Sequence, residues 1–254
     1  MYRTYINIIF LLITFHGFGQ DQLNPDRPGE SRTPELVKGY NLQAELGFRK
    51  EKIEEAQYMY QHPEVLLRFG LFNALELRVK LASQTIRDNI SKAKLNGITP
   101  VYFGVKAKIL PQHNWLPSIG ALAEVGVPSL ASGDYFVTGI PFEFRTLFNN
   151  NITNRFSIQY NVGVSWNETN NHTDNKQWMY TISPVYKIND WQLFVEQYAF
   201  LRNGTSAEHY FDGGVQYFFN KDFAIDVAAG AGLSEISSSY YIEGGLSYRL
   251  DFTR

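Results

Sequence analysis

In every strand-like stretch of this chain the charged side chains fall on one parity and the apolar side chains on the other. The last segment shows it well: Ile242, Leu246, Tyr248, Leu250 and Phe252 alternate with Glu243, Ser247, Arg249, Asp251 and Thr253. Successive side chains of a strand point to opposite faces, so each stretch has one greasy face and one charged face. The pattern recurs about twelve times from Gly39 onward, and no formal charge is expected on the greasy parity. A sheet of this kind, closed on itself with the greasy face outward, is an all-β transmembrane antiparallel up-and-down β-barrel of about 12 strands.

Strand one reads Tyr40, Leu42, Ala44, Leu46 and Phe48 against Asn41, Gln43, Glu45 and Arg49. The sixth is expected over Phe136–Arg145. The ninth is the weakest, because Gln197 breaks its phase. Connections after the odd-numbered strands are generally the longer ones, for example 83–97 and 167–177. Those after the even-numbered strands are tight, with NNNIT (149–153) the loosest. Long outer loops and short inner turns place both termini in the periplasm. Trp166 and Trp178 then fall at one rim and Trp115 and Trp191 at the other, where an aromatic girdle belongs.

A soluble antiparallel sandwich also alternates, with its greasy face turned inward. Three features count against it. The alternation fills nearly the whole chain and leaves no helix to cover a sheet. Eleven glycines, from Gly47 and Gly70 to Gly245, share the charged parity, which suits a crowded interior better than a solvent-washed face. The greasy parity avoids charge, as lipid demands.

Residues 1–19 read as a signal peptide: Arg3, an apolar run Ile6–Phe15, and Gly17 and Gly19 ahead of a cut before Gln20. Residues 20–38 carry three prolines and no period, and form an N-terminal periplasmic arm or plug. Residues 39–254 form the outer-membrane barrel. Cys is absent, which excludes disulfides, thiolate metal sites and an acylated N-terminal Cys. The net charge of −2 argues against a nucleic-acid partner.

The arm and first strand contain Asp26-Arg27-Pro28-Gly29-Glu30-Ser31, Thr33-Pro34 and Gly39-Tyr40-x-Leu42-Gln43-x-Glu45-x-Gly47. Leu66–Leu71 with Glu76-Leu77-Arg78, and Gly97, Pro100 and Gly104-Val105-Lys106, follow. These stretches resemble the outer-membrane transporter family described as "putative meta-pathway of phenol degradation" proteins, common in Bacteroidetes. The likeness covers most of residues 24–128. It implies export or uptake of small solutes, aromatic or hydrophobic compounds among them, and it implies no catalytic residue. One departure is that Phe252 is followed by Thr253 and Arg254, whereas many such barrels end on an aromatic.

The charged parity should line a lumen with Glu45, Arg68, Glu76, Arg78, Lys106, Glu124, Glu143, Arg145, Glu196, Asp212, Asp226 and Glu243. Two readings follow. Either these groups pair with Lys80, Lys108, Lys187 and Arg249 into a salt-bridged network that fills a structural barrel, or together they line a pore of balanced charge for passive passage of small solutes. If the arm turns back into the lumen, Asp26, Arg27 and Glu30 are its plug residues. A lipid hydrolase is the third reading, but the mature histidines stand at loops or strand ends, with His209 and Ser206 the nearest approach to a catalytic pair. Calcium at NNHTDN (170–175) is weaker still. No cofactor is expected, and the expected partners are outer-membrane lipid, the barrel-assembly machinery and a small solute.

Overall fold

The computed structural model describes residues 22–137, 139–166 and 176–252; the expected leader and the NNHTDN run lie outside them. The strands are β1 (Asn41–Lys52), β2 (Gln57–Leu71), β3 (Leu75–Asp88), β4 (Lys94–Ile98), β5 (Val101–Leu110), β6 (Ser118–Val127) and β7 (Phe142–Asn151). They continue as β8 (Phe156–Trp166), β9 (Lys176–Ile188), β10 (Trp191–Arg202), β11 (Glu208–Asn220), β12 (Phe223–Gly232) and β13 (Tyr240–Asp251). Every pairing between them is antiparallel. The ring closes where β1 meets β13, in unbroken register from Asn41 opposite Asp251 to Lys52 opposite Tyr240. β4 and β5 both lie against β3, one on Ser83–Arg87 and the other on Leu75–Lys80. They are two pieces of one stave, interrupted at Thr99 and Pro100, so the barrel has twelve staves.

Exposure runs opposite to that of a water-soluble protein. Leu77 is 42% exposed while its neighbour Arg78 is 3% exposed, and Val227 is 47% exposed beside Asp226 at 7%. Burying ionic groups while presenting Leu, Val and Phe outward lowers free energy only where the surroundings are hydrocarbon. An arginine introduced at Val227 should therefore cost roughly 2–4 kcal/mol, measured as the drop in unfolding free energy of the barrel in lipid vesicles. A cost near zero would mean that this face meets water.

The turns follow from their residues. Asn189 takes a positive φ of 50° in the tight β9–β10 connection, a conformation asparagine tolerates well. That rim, with turns at 72–74, 111–117, 152–155, 189–190 and 221–222, is the short-turn rim. An aromatic band encircles part of it, with ring centroids 4.7 Å apart for Trp191 and Tyr217 and 4.8 Å apart for Tyr217 and Phe219.

Four details depart from the sequence reading. The sixth expected strand is displaced: Phe136 and Ile140 lie in the long β6–β7 connection and β7 begins at Phe142. Pro141 just before it has no N–H to give a ladder. Asn149–Asn151, read as turn, pair instead with Ser157–Gln159. Gln197 produces no bulge; it stays on the outward parity and its amide donates to the Tyr180 hydroxyl at 3.2 Å. Finally, the outward parity does carry charge. β1, β2 and β3 run past the apolar band at the long-loop rim, and there Lys50 and Lys52 of β1 occupy outward positions.

Candidate functional site

The arm, residues 22–40, threads the interior of this barrel. Leu23 enters at the short-turn rim, its N–H donating to Lys221 O at 2.8 Å and its side chain packing on Phe218 and Ala224. Residues 26–32 cross the lumen at mid-height. The chain then returns to the same rim, where the Tyr40 N–H donates to Gly70 O at 2.8 Å and β1 begins.

Asp26 is the hub. Its carboxylate lies 2.6 Å from Arg78 Nη1, 2.9 Å from Lys106 Nζ and 3.4 Å from Arg68 Nη1. All three cations are nearly or wholly buried, and they also share Glu76, with Arg68 Nε and Arg78 Nη1 each 2.8 Å from its Oε1. Burial alone would raise the Asp26 carboxyl, but Arg68, Lys106, Arg78 and Arg32 outweigh it and hold it well below the ordinary carboxylate range. Glu30 repeats the arrangement one turn on. Its burial cost is outweighed by Arg145, 2.6 Å away, and by Arg32, so its carboxyl is also lowered. Arg145 is additionally bonded to Glu143, and Glu124 accepts from Arg78 at 3.0 Å and from Lys80 at 2.9 Å.

The opposite wall is acidic. Glu45 of β1 accepts the Asp26 and Arg27 N–H groups at 3.1 and 3.2 Å. Glu243 accepts the Gly29 N–H at 3.0 Å, and Glu196 accepts those of Glu30 and Ser31 at 2.6 and 2.7 Å. Asp226 pairs with Arg27 at 3.3 Å. The grip on the arm is therefore divided: cations of β2–β7 hold its acids, while carboxylates of β10–β13 and β1 hold Arg27 and backbone N–H groups. Asp212 alone of the twelve lining residues named from the sequence stands off the arm and its immediate partners, bonded to the Tyr241 hydroxyl. Tyr241 also lies under the Arg49 guanidinium, 3.7 Å from ring centroid to Cζ, and clusters with Tyr198 and Tyr210 on the long-loop side of the arm.

Glycine explains how an arm fits between these walls. A Cβ at Gly47 or Gly245 would collide with the Arg27 guanidinium, and one at Gly70 would collide with the carbonyl oxygens of Val37 and Lys38. Two cavities beside the arm are about 20 Å³ each, one lined by Arg27, Ser31, Gln192 and Gln216, the other by Arg32, Glu64, Lys80 and Glu143. Each has room for roughly one water.

Sequence reasoning named Asp26, Arg27 and Glu30 but missed Arg32, Glu35 and Asn161. Asn161 brackets the Arg32 backbone, accepting its N–H at 2.7 Å and donating to its carbonyl at 2.8 Å, and Lys108 holds Glu35 at 2.7 Å. An unpaired Asn on the charged parity of β8 was the available signal. Ser206 is exposed, and among the described residues no hydrogen bond joins it to His209. The described residues also contain no His, Asp, Glu cluster of metal-binding spacing.

Solved structures with a similar fold include outer-membrane channels, porins and autotransporter translocation domains. An outer-membrane channel from Pseudomonas putida F1 matches with a TM-score of 0.66 and 9% identity, covering 88% of this chain and 99% of that one. The NanC porin matches at 0.56 with 12% identity, over 82% of this chain and 100% of that one, and the KdgM porin at 0.52 with 14% identity, over 82% and 99%. No curated protein matches this chain. The model of one family matches residues 25–250, nearly all of the described sequence, and the chain belongs to that family, described as "Putative MetA-pathway of phenol degradation".

Proposed function

We propose that the protein is a passive outer-membrane channel for small solutes whose lumen is closed at rest by its own arm. One observation carries this reading: the arm is held at mid-lumen by ion pairs and hydrogen bonds, while among its described residues the apolar cluster it joins is that of Leu23 at the rim. Polar contacts of this kind exchange readily with water, so an interior built from them can be vacated and wetted. A permanently filled barrel would gain more from an apolar core.

The twelve named lining residues mix acid and base, which favours neutral or zwitterionic solutes over simple ions. The family description favours solutes handled with aromatic degradation. The chain's short turns lie at the rim where the arm enters, which supports a periplasmic position for both ends of the described chain after removal of residues 1–19. Such a barrel is inserted by the barrel-assembly machinery. No enzymatic role is assigned.

The buried ion-pair network favours one second reading, a structural barrel that never opens. Liposome swelling with a panel of sugars, amino acids and aromatic acids separates the two. Flux of at least one small solute is expected, and swelling no faster than protein-free liposomes for every solute would leave the structural barrel.

A further inference from the structure

The outward face at the long-loop rim holds a row of cations that the solute path does not use. Lys52 lies opposite Tyr58, Tyr58 opposite Arg87, and Arg87 opposite Lys94, so the four share one cross-strand row over β1–β4. Residues directly opposite on antiparallel strands face the same side. One step nearer the barrel middle Lys50 lies opposite Tyr60, with its ammonium 5.4 Å from the Tyr58 ring centroid and 5.8 Å from that of Tyr60. Among the described residues none of these four cations forms a salt bridge, whereas the interior cations Arg68, Arg78 and Lys106 are each multiply paired.

Beside the β1 end of the row, one step nearer the barrel middle, the wall is hollowed. A cavity of about 490 Å³ opens on the outer face, lined by Phe48, Tyr60, Val227, Ile242 and Gly244 with Lys50 at its upper edge. It exists because Gly244 has no side chain: a Cβ there meets only the Asp226 carbonyl oxygen, at 3.4 Å. The β1–β2 ladder also skips at this height, leaving Phe48 unpaired between Gly47 and Arg49.

We propose that this face binds a phosphorylated membrane lipid, its acyl chain in the groove at Gly244 and its headgroup phosphates along Lys50, Lys52, Arg87 and Lys94. Basic side chains interleaved with tyrosines at a membrane interface have the chemistry for anionic headgroups. Strands lie about 4.8 Å apart, so the row from Lys52 to Lys94 spans about 14 Å, which suits a headgroup carrying two phosphates. With the long loops facing outward, the lipid belongs to the outer leaflet. The inference requires the membrane barrel and does not require solute passage.

The test uses the mature protein refolded in zwitterionic detergent, with lipid retention read by native mass spectrometry. Bisphosphorylated lipid A should be retained at least tenfold more strongly than phosphatidylcholine, with the monophosphorylated form between them. Combining Lys50→Glu, Arg87→Glu and Lys94→Glu should abolish that preference, while Lys50→Arg, Arg87→Lys and Lys94→Arg together should preserve it. Gly244→Trp, which fills the groove, should weaken retention several-fold. Variants are compared only where heat-modifiable mobility shows a folded barrel. Equal retention of lipid A and phosphatidylcholine by the wild type, or an unchanged preference in the charge-reversed variant, overturns the site. Liposome swelling in the same preparations reports the channel separately, so loss of one reading leaves the other standing.

Discussion

Deletion of residues 22–36 should raise single-channel conductance in planar bilayers by roughly an order of magnitude, because twelve strands enclose more space than the eight that side chains alone can fill. The barrel itself should survive. Its closure depends on backbone ladders between neighbouring staves, none of which involves the arm. What the deletion removes is the carboxylate of Asp26 from Arg68, Arg78 and Lys106, and that of Glu30 from Arg145. In a dry interior those cations would be left at a cost of several kcal/mol. In this lumen water enters as the arm leaves and hydrates them. The glycines then matter a second time, since Gly47 and Gly245 leave a gap in the wall where the Arg27 guanidinium had been. A folded, heat-modifiable variant with unchanged conductance would show that the arm blocks nothing.

Much of the barrel was legible because its cause is periodic. A two-residue alternation survives any choice of neighbour, so the inward position of Arg78 and the outward position of Leu77 follow from the sequence alone. Glycine parity pointed to a crowded interior for the same reason, though not to what crowds it. The arm was not legible in that way. Asp26 meets Lys106 across 80 residues and Arg27 meets Asp226 across 199. Such contacts depend on the register of staves that lie far from the arm in the chain. Strand ends were misplaced where a single residue outranks the pattern, as Pro141 does ahead of β7. The basic row at the long-loop rim escaped notice because its members are strangers in sequence, and only the pairing of Lys52 with Tyr58, Arg87 and Lys94 assembles it.

Asp26→Asn should loosen the docked arm by about 3–5 kcal/mol, the range expected when one member of a buried ionic network is neutralised and its partners remain. Here three partners remain, and Arg68, Arg78 and Lys106 repel one another with Glu76 as the carboxylate left to share among them. The expected reading is trypsin cleavage after Arg32, whose next residue is Thr33, in the folded, detergent-solubilised variant, identified by the N-terminus of the product, under conditions that leave the wild type intact. pH provides an independent check on sign. A carboxyl held below its ordinary value stabilises the folded state fully above that ordinary value, near pH 4, and the contribution fades only as pH falls through the depressed value. The Asp26 anchor should thus be as strong at pH 5 as at pH 7, and the gap in protease sensitivity between wild type and Asp26→Asn should be the same at both. A gap that closes by pH 5 would mean that Asp26 has already taken up its proton there, and that the three cations do not hold it as the geometry requires.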